Sequence, residues 1–234
     1  MAYEHVVFDL DGTLIDSRAD LAQAVNHVLG AFGLPELSLQ AVTGYIGEGA
    51  RRLVQRALGS DHENRLEDGL RLFIEYYGAH LLDHTQLYPG IAAMLRQLAQ
   101  RGVVLSVLSN KPEAMSRAIL GGLDVLSVFR AVLGGDSFPA RKPEPAGLEH
   151  LRSLTGTWVE KMLVVGDSLI DLRTARAAGI DFCGAAWGFG AEGLCAAGAQ
   201  PIIDEPAALL AIVEGYRQLT PSLPPDPGAR SGGG

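Results

Sequence analysis

Five short runs of this chain are rich in Val and Leu and lack polar alternation: "HVVFDL" (5–10), "VVLSVL" (103–108), "RAVLGG" (130–135), "MLVVGD" (162–167) and "DFCGAA" (181–186). A strand with one wet face alternates polar and apolar residues. A strand without that alternation must be covered on both faces, as in a parallel sheet flanked by helices. The segments between the runs have helical spacing, with Ile91, Met94, Leu95 and Leu98 on one stripe and Leu148, Leu151 and Leu154 on another. Strand, helix, strand in that order predicts a doubly wound α/β sheet.

One interval breaks the rhythm. From Ser17 to His84 there is no convincing strand, only helical periodicity. Leu21, Val25, Val28, Leu29 and Phe32 form one stripe, and Leu66, Leu70, Phe73, Ile74, Tyr77 and Leu81 form another. These helices could simply cover the sheet, but about 70 residues exceed what a single crossover needs. An inserted all-helical domain over 17–84 is the expectation. The main fold then occupies 1–16 and 85–216, and "YPG" (88–90) marks the return to it.

Composition narrows the function classes. The chain has 234 residues, 47% hydrophobic and 20% charged, as in an ordinary globular protein. A net charge of -8 argues against nucleic acid or an anionic membrane as partner, since both require basic patches. No apolar run approaches the roughly 18 residues that span a bilayer, and "MAYEHVVFDL" does not resemble a signal peptide. A cytoplasmic protein is expected. Cys183 and Cys195 are too few and too oddly placed for a disulfide framework or a zinc site. The segment 217–234, which contains "TPSLPPDPGARSGGG" (220–234), is rich in Pro and Gly and is expected to be disordered.

In an open α/β sheet, ligands bind beyond the carboxyl ends of the strands. Those ends supply few residues here. The first run delivers Asp9 and Asp11, then Gly12 and Thr13; the second delivers Ser109, Asn110 and Lys111. The loop "ARKPEP" after the third holds Lys142, and "GDSLID" after the fourth holds Asp167 and Asp171. Taken alone, Asp9 and Asp11 could belong to an ordinary Asp-Gly turn. Together the four segments collect carboxylates and a small set of phosphate-friendly donors.

These segments resemble the four signature motifs of the haloacid dehalogenase superfamily, in the same order. Residues 9–13 match DxDGT, Ser109 the strand-end Ser/Thr, Lys142 the isolated lysine, and residues 166–171 GDxxxD. The resemblance covers about residues 4 to 216 and implies a Rossmann-like core with a helical cap. The wider pattern is similar to bacterial phosphoglycolate phosphatases: "DLDGTLIDSRADL", "IGEGARRLVQRAL", "YPG", "SNKPE", "KPEP" and "VGDSLIDLRTARAAG".

The resemblance implies a Mg²⁺-dependent phosphatase acting on a small phosphate monoester such as 2-phosphoglycolate. Asp9 would be the nucleophile that forms an aspartyl-phosphate. Asp11 would protonate the leaving alcohol and then activate water. Asp9, Asp167 and the backbone carbonyl of Asp11 would hold Mg²⁺. Two unit charges about 4 Å apart interact by roughly 4 kcal/mol at an effective dielectric of about 20. A phosphate dianion facing Asp9 and Asp167 therefore needs a cation. Lys142 would add a second positive charge, with Gly12, Ser109 and Asn110 holding phosphoryl oxygens. Thr13 would brace the loop, and Asp171 would orient the metal's water or Lys142. Lys111 reads equally well as solvated or functional.

Rival chemistries leave traces to check. A dehalogenase would lack an acid at position 11, and a phosphonatase would need a cap lysine where 17–84 has none. A sugar-phosphate mutase or a pyrophosphatase shares the core motifs. A silent regulator could keep the fold as a binding module, but every catalytic position is intact. Substrate choice would fall to the cap loop "YIGEGARRL", where Gly47, Glu48 and Gly49 precede a helix N-terminus that offers free N–H groups to an anion. Arg51 or Arg52 would then meet a substrate carboxylate, or both would be solvated. Oligomeric state is not legible.

Overall fold

A computed structural model describes residues 1–215; the expected tail, 217–234, lies outside them. Six parallel strands form one sheet: β1 (His5–Phe8), β4 (Val104–Leu108), β5 (Ala131–Leu133), β6 (Met162–Gly166), β7 (Asp181–Ala185) and β8 (Ile202–Ile203). Their spatial order is β5-β4-β1-β6-β7-β8. Each of the five strands expected from the runs is one to three residues shorter than its run. β1 stops at Phe8, which leaves Asp9 and Asp11 in the following turn, and β5 stops before Gly134.

Helices cover both faces. Val6 and Phe8 pack with α5 (Ile91–Gln100), α6 (Glu113–Gly122) and α10 (Ala208–Glu214), while Val7 between them faces α7 (Ala146–Thr155) and α8 (Leu169–Ala178). The continuous apolar runs thus divide residue by residue between two cores. A short helix α9 (Ala191–Ala196) follows β7.

Residues 17–84 contain α1 (Arg18–Ala31), α2 (Leu39–Thr43), α3 (Ala50–Leu58), a 3-10 turn (Ser60–Arg65) and α4 (Leu66–Ala79), and no strand. Both helical stripes meet in a third hydrophobic cluster, around Leu21, Val25, Leu53, Phe73 and Tyr77. The chain enters and leaves this block through a ribbon that periodicity does not reveal. β2 (Ile15–Asp16) pairs antiparallel with β3 (Gln86–Leu87). Asp20, buried at the start of α1, reinforces that junction. Its Oδ2 accepts hydrogen bonds from the N–H groups of His84 and Thr85 (3.1 and 2.8 Å) and from the Thr85 hydroxyl (2.7 Å).

One core side chain makes stability depend on pH. His5 on β1 is wholly buried, with Nε2 2.9 Å from Ser106 Oγ and Nδ1 3.3 Å from Thr155 Oγ1. Burial pushes its pKa from the ordinary 6.5 down to about 4. Between those values the unfolded chain binds a proton that the native state does not. The stability contribution is therefore complete above about pH 6.5 and is lost as pH falls toward 4, by on the order of 3 kcal/mol. Urea unfolding at pH 7 and pH 4.5 should show a smaller difference for His5→Gln than for the unaltered chain. An equal difference would refute this account.

Candidate active site

Four strand ends converge. β1 ends one residue before Asp9, β4 one residue before Ser109, and β6 one residue before Asp167, while the loop after β5 brings in Lys142. The turn after β1 closes on Gly12, which has φ +88°, a region L side chains rarely adopt. A Cβ there would lie 2.5 Å from Asp167 Oδ2, so the motif's glycine also makes room for a carboxylate.

Lys142 is buried, and its Nζ lies 2.7 Å from Asp9 Oδ1 and 2.7 Å from Asp171 Oδ1. Asp171 is also the N3 residue of a capping box: Ser168 Oγ donates to its Oδ2 at 2.6 Å, which ties the lysine's partner to the start of α8. Its expected contact with Lys142 is present. Thr13 Oγ1 donates to Asp167 Oδ1 at 2.9 Å, and the N–H groups of Phe189 and Gly190 donate to Oδ2 at 2.8 and 3.2 Å. The loop 188–190 carries no motif, so sequence reasoning missed its part in holding Asp167.

Carboxylate oxygens of Asp9, Asp167 and Asp171 all lie within 4.8 Å of one another. Burial pushes the pKa values of Asp9 and Asp167 up, and the charge of Asp171 adds to the effect. Burial works against the charge on Lys142, but Asp171 and Asp9 outweigh it and its pKa is raised. Three crowded acids with one ammonium form a hard-oxygen donor set with surplus negative charge. A small divalent cation such as Mg²⁺ fits that chemistry.

Asp11 faces a different environment. Ser17 Oγ donates to its Oδ1 at 2.5 Å, and Lys111 Nζ lies 2.7 and 2.8 Å from its two oxygens. Lys111, which the sequence left undecided, is buried, with its ammonium 4.9 Å from the centre of the Tyr77 ring. Its scarcity signal was available: the chain has only Lys111, Lys142 and Lys161.

The loop between α2 and α3 rests on this centre. Asn110 Nδ2 donates to the carbonyls of Gly47 (3.0 Å) and Lys142 (3.1 Å). Gly49, at φ +87°, would carry a Cβ only 3.1 Å from the Asn110 carbonyl. Gly47 and Gly49 line the small cavity, of about 40 Å³, that opens above Asp9, Asp11 and Ser109. The charged residues beside them do not. Glu48 pairs with Arg56, Arg51 with Glu67, and Arg52 with Gln55, and all three arginines are exposed. Of the two readings of Arg51 and Arg52, these contacts match the solvated one. Helical phase carries both off the buried face that Leu53 and Val54 occupy.

Residues 6–185 match the family model of haloacid dehalogenase-like hydrolases. The chain is 40% identical over 190 residues to the phosphoglycolate phosphatase of Pseudomonas putida, covering 79% of this chain and 70% of that one. It is 38% identical over 212 residues to that of Rhodospirillum rubrum, covering 87% and 88%. The crystal structure of a predicted phosphoglycolate phosphatase from Haemophilus somnus superposes with a TM-score of 0.86 at 33% identity, over 91% of this chain and 98% of that one. With the motifs on adjacent strand ends and this match over most of its length, the chain belongs to the haloacid dehalogenase-like hydrolase family.

Proposed function

We propose that the protein is a Mg²⁺-dependent phosphatase that hydrolyses 2-phosphoglycolate through an aspartyl-phosphate on Asp9. The observation that carries the mechanism is the pairing of two carboxylates in unlike surroundings. Asp9 lies among acids beside Lys142, and Asp11 lies apart from them beside Ser17 and Lys111. An Asp9 oxygen attacks phosphorus while the phosphorus–ester oxygen bond breaks, and Asp11 delivers a proton to that oxygen. Asp11 then takes a proton from water, whose oxygen attacks the same phosphorus and releases the Asp9 carboxylate. Lys142 offsets charge on the phosphoryl group, and Ser109 with the backbone near Gly12 and Asn110 orients its oxygens. Bound Mg²⁺ would neutralise the dianion as it meets Asp9. The substrate follows from the named relatives, which are phosphoglycolate phosphatases over most of this chain.

In this reading residues 17–84 act as a cap over the core of 1–16 and 85–216, and its loop at Gly47 to Gly49 excludes water from the reaction. The separate hydrophobic cluster and the two-strand ribbon at its base support that division. A cytoplasmic site of action is part of the proposal; Cys183 and Cys195 are unpaired, as a reducing compartment would keep them. No helix among the described residues is long and apolar enough to cross a membrane.

Phosphate release from 2-phosphoglycolate should cease in EDTA and return with Mg²⁺. Ca²⁺ should inhibit, since its larger coordination number favours bidentate capture of Asp9. Full turnover in EDTA, or in Ca²⁺ alone, would overturn the metal's role.

A further inference from the structure

We propose that Lys111 binds a second anionic group of the substrate, the carboxylate, and so selects short phosphorylated acids over phosphate esters of neutral alcohols. The inference rests on the phosphatase reading above and assigns a residue to the part of the substrate that does not react.

The cavity beside Asp9 and Asp11 is apolar on its helical side, where Leu21, Ile46, Leu53, Phe73, Tyr77 and Met115 line it. Lys111 is the one basic side chain among its lining residues. An ammonium held in such surroundings needs an anion beside it, and Asp11 is that partner here, through both oxygens. The ring of Tyr77, carried by α4, covers the same ammonium, and a cation against an aromatic face gains from the ring quadrupole. Helical cap and core thus converge on one positive charge.

Covalent geometry then places the substrate. The ester oxygen must sit beside Asp11 to receive its proton. In 2-phosphoglycolate the carboxylate carbon is only two bonds from that oxygen. Because Lys111 Nζ is 2.7 Å from Asp11 Oδ1, a carboxylate so close to the ester oxygen falls within reach of the lysine. It replaces Asp11 as counterion and frees the Asp11 oxygens to face the ester. An ester whose alcohol part carries no charge offers no such exchange and leaves Lys111 bound to Asp11.

The test compares 2-phosphoglycolate with ethyl phosphate, which has the same ester but no carboxylate, using the Mg²⁺-loaded protein. The unaltered enzyme should favour 2-phosphoglycolate in kcat/KM, and Lys111→Met should reduce that preference by about 30-fold or more, chiefly through KM. Equal losses on both esters would show that Lys111 only props Asp11 and would overturn the proposal. Equal turnover of the two esters by the unaltered enzyme would also overturn it, while leaving the phosphatase reading intact. Turnover of neither would remove the phosphatase reading itself. Should Lys111→Met fail to fold, inhibition of the unaltered enzyme decides. 3-Phosphonopropionate should bind about 30-fold tighter than propylphosphonate, and equal inhibition would overturn the assignment.

Discussion

Asp9→Asn is expected to lower phosphate release by roughly 10⁴-fold or more, because removal of a nucleophile removes the step itself. The amide is a weaker nucleophile and a poorer ligand for a hard cation. The fold should survive. Asp9 is a carboxylate among carboxylates, within 4.8 Å of Asp167 and Asp171, so its neutralisation removes a repulsion at the cost of one contact to Lys142. Thermal unfolding should therefore show a Tm equal to or above that of the unaltered protein. Retention of a tenth of the rate would take the nucleophile's role from Asp9.

Gly188→Ala should cost about 100-fold in kcat, although the residue has no charge and lies outside every motif. A Cβ at Gly188 would lie 2.1 Å from Asp167 Cβ, so the two cannot coexist without movement. Displacing a reacting or ligating group by about 1 Å is enough for such a loss. The variant should also require more Mg²⁺ for half-maximal rate. Gly30→Ala on α1 is the control: its Cβ meets nothing within 4 Å, and it should leave the rate unchanged. A Gly188→Ala enzyme with an unaltered rate and Mg²⁺ requirement would show that Asp167 does not depend on this packing.

The sheet and most of the centre were legible because local signals report them. Continuous apolar runs identify buried strands, and the acids that follow stand where a parallel sheet presents its ligands. Lys142 was legible because its motif isolates it. Lys111 was marked only by the rarity of lysine, because Tyr77, which its ammonium meets, arrives from a helix some thirty residues earlier in the chain. Arg51 and Arg52, left open between substrate and solvent, are the opposite case. Their position after two glycines points toward the centre, yet their helical phase turns them to solvent, where Glu67 and Gln55 receive them. The brace at 188–190 depends on backbone N–H groups and a missing Cβ, neither of which leaves a side-chain pattern to read.

The β2–β3 ribbon has a consequence for how such a chain finds its structure. β1 must pair with β4 across about 100 residues, His5 against Val104. Without the helical block the same pairing would span only about 30. Loop-closure entropy grows with the logarithm of length, so the extra residues cost only about 1 kcal/mol. Once Ile15 lies against Leu87 and Asp20 holds Thr85, the block is a closed loop with its ends together and its own apolar cluster to collapse on. The sheet can zip without waiting for those helices, and a different set of helices could be grafted at the same two strands with little penalty to the assembly of the rest.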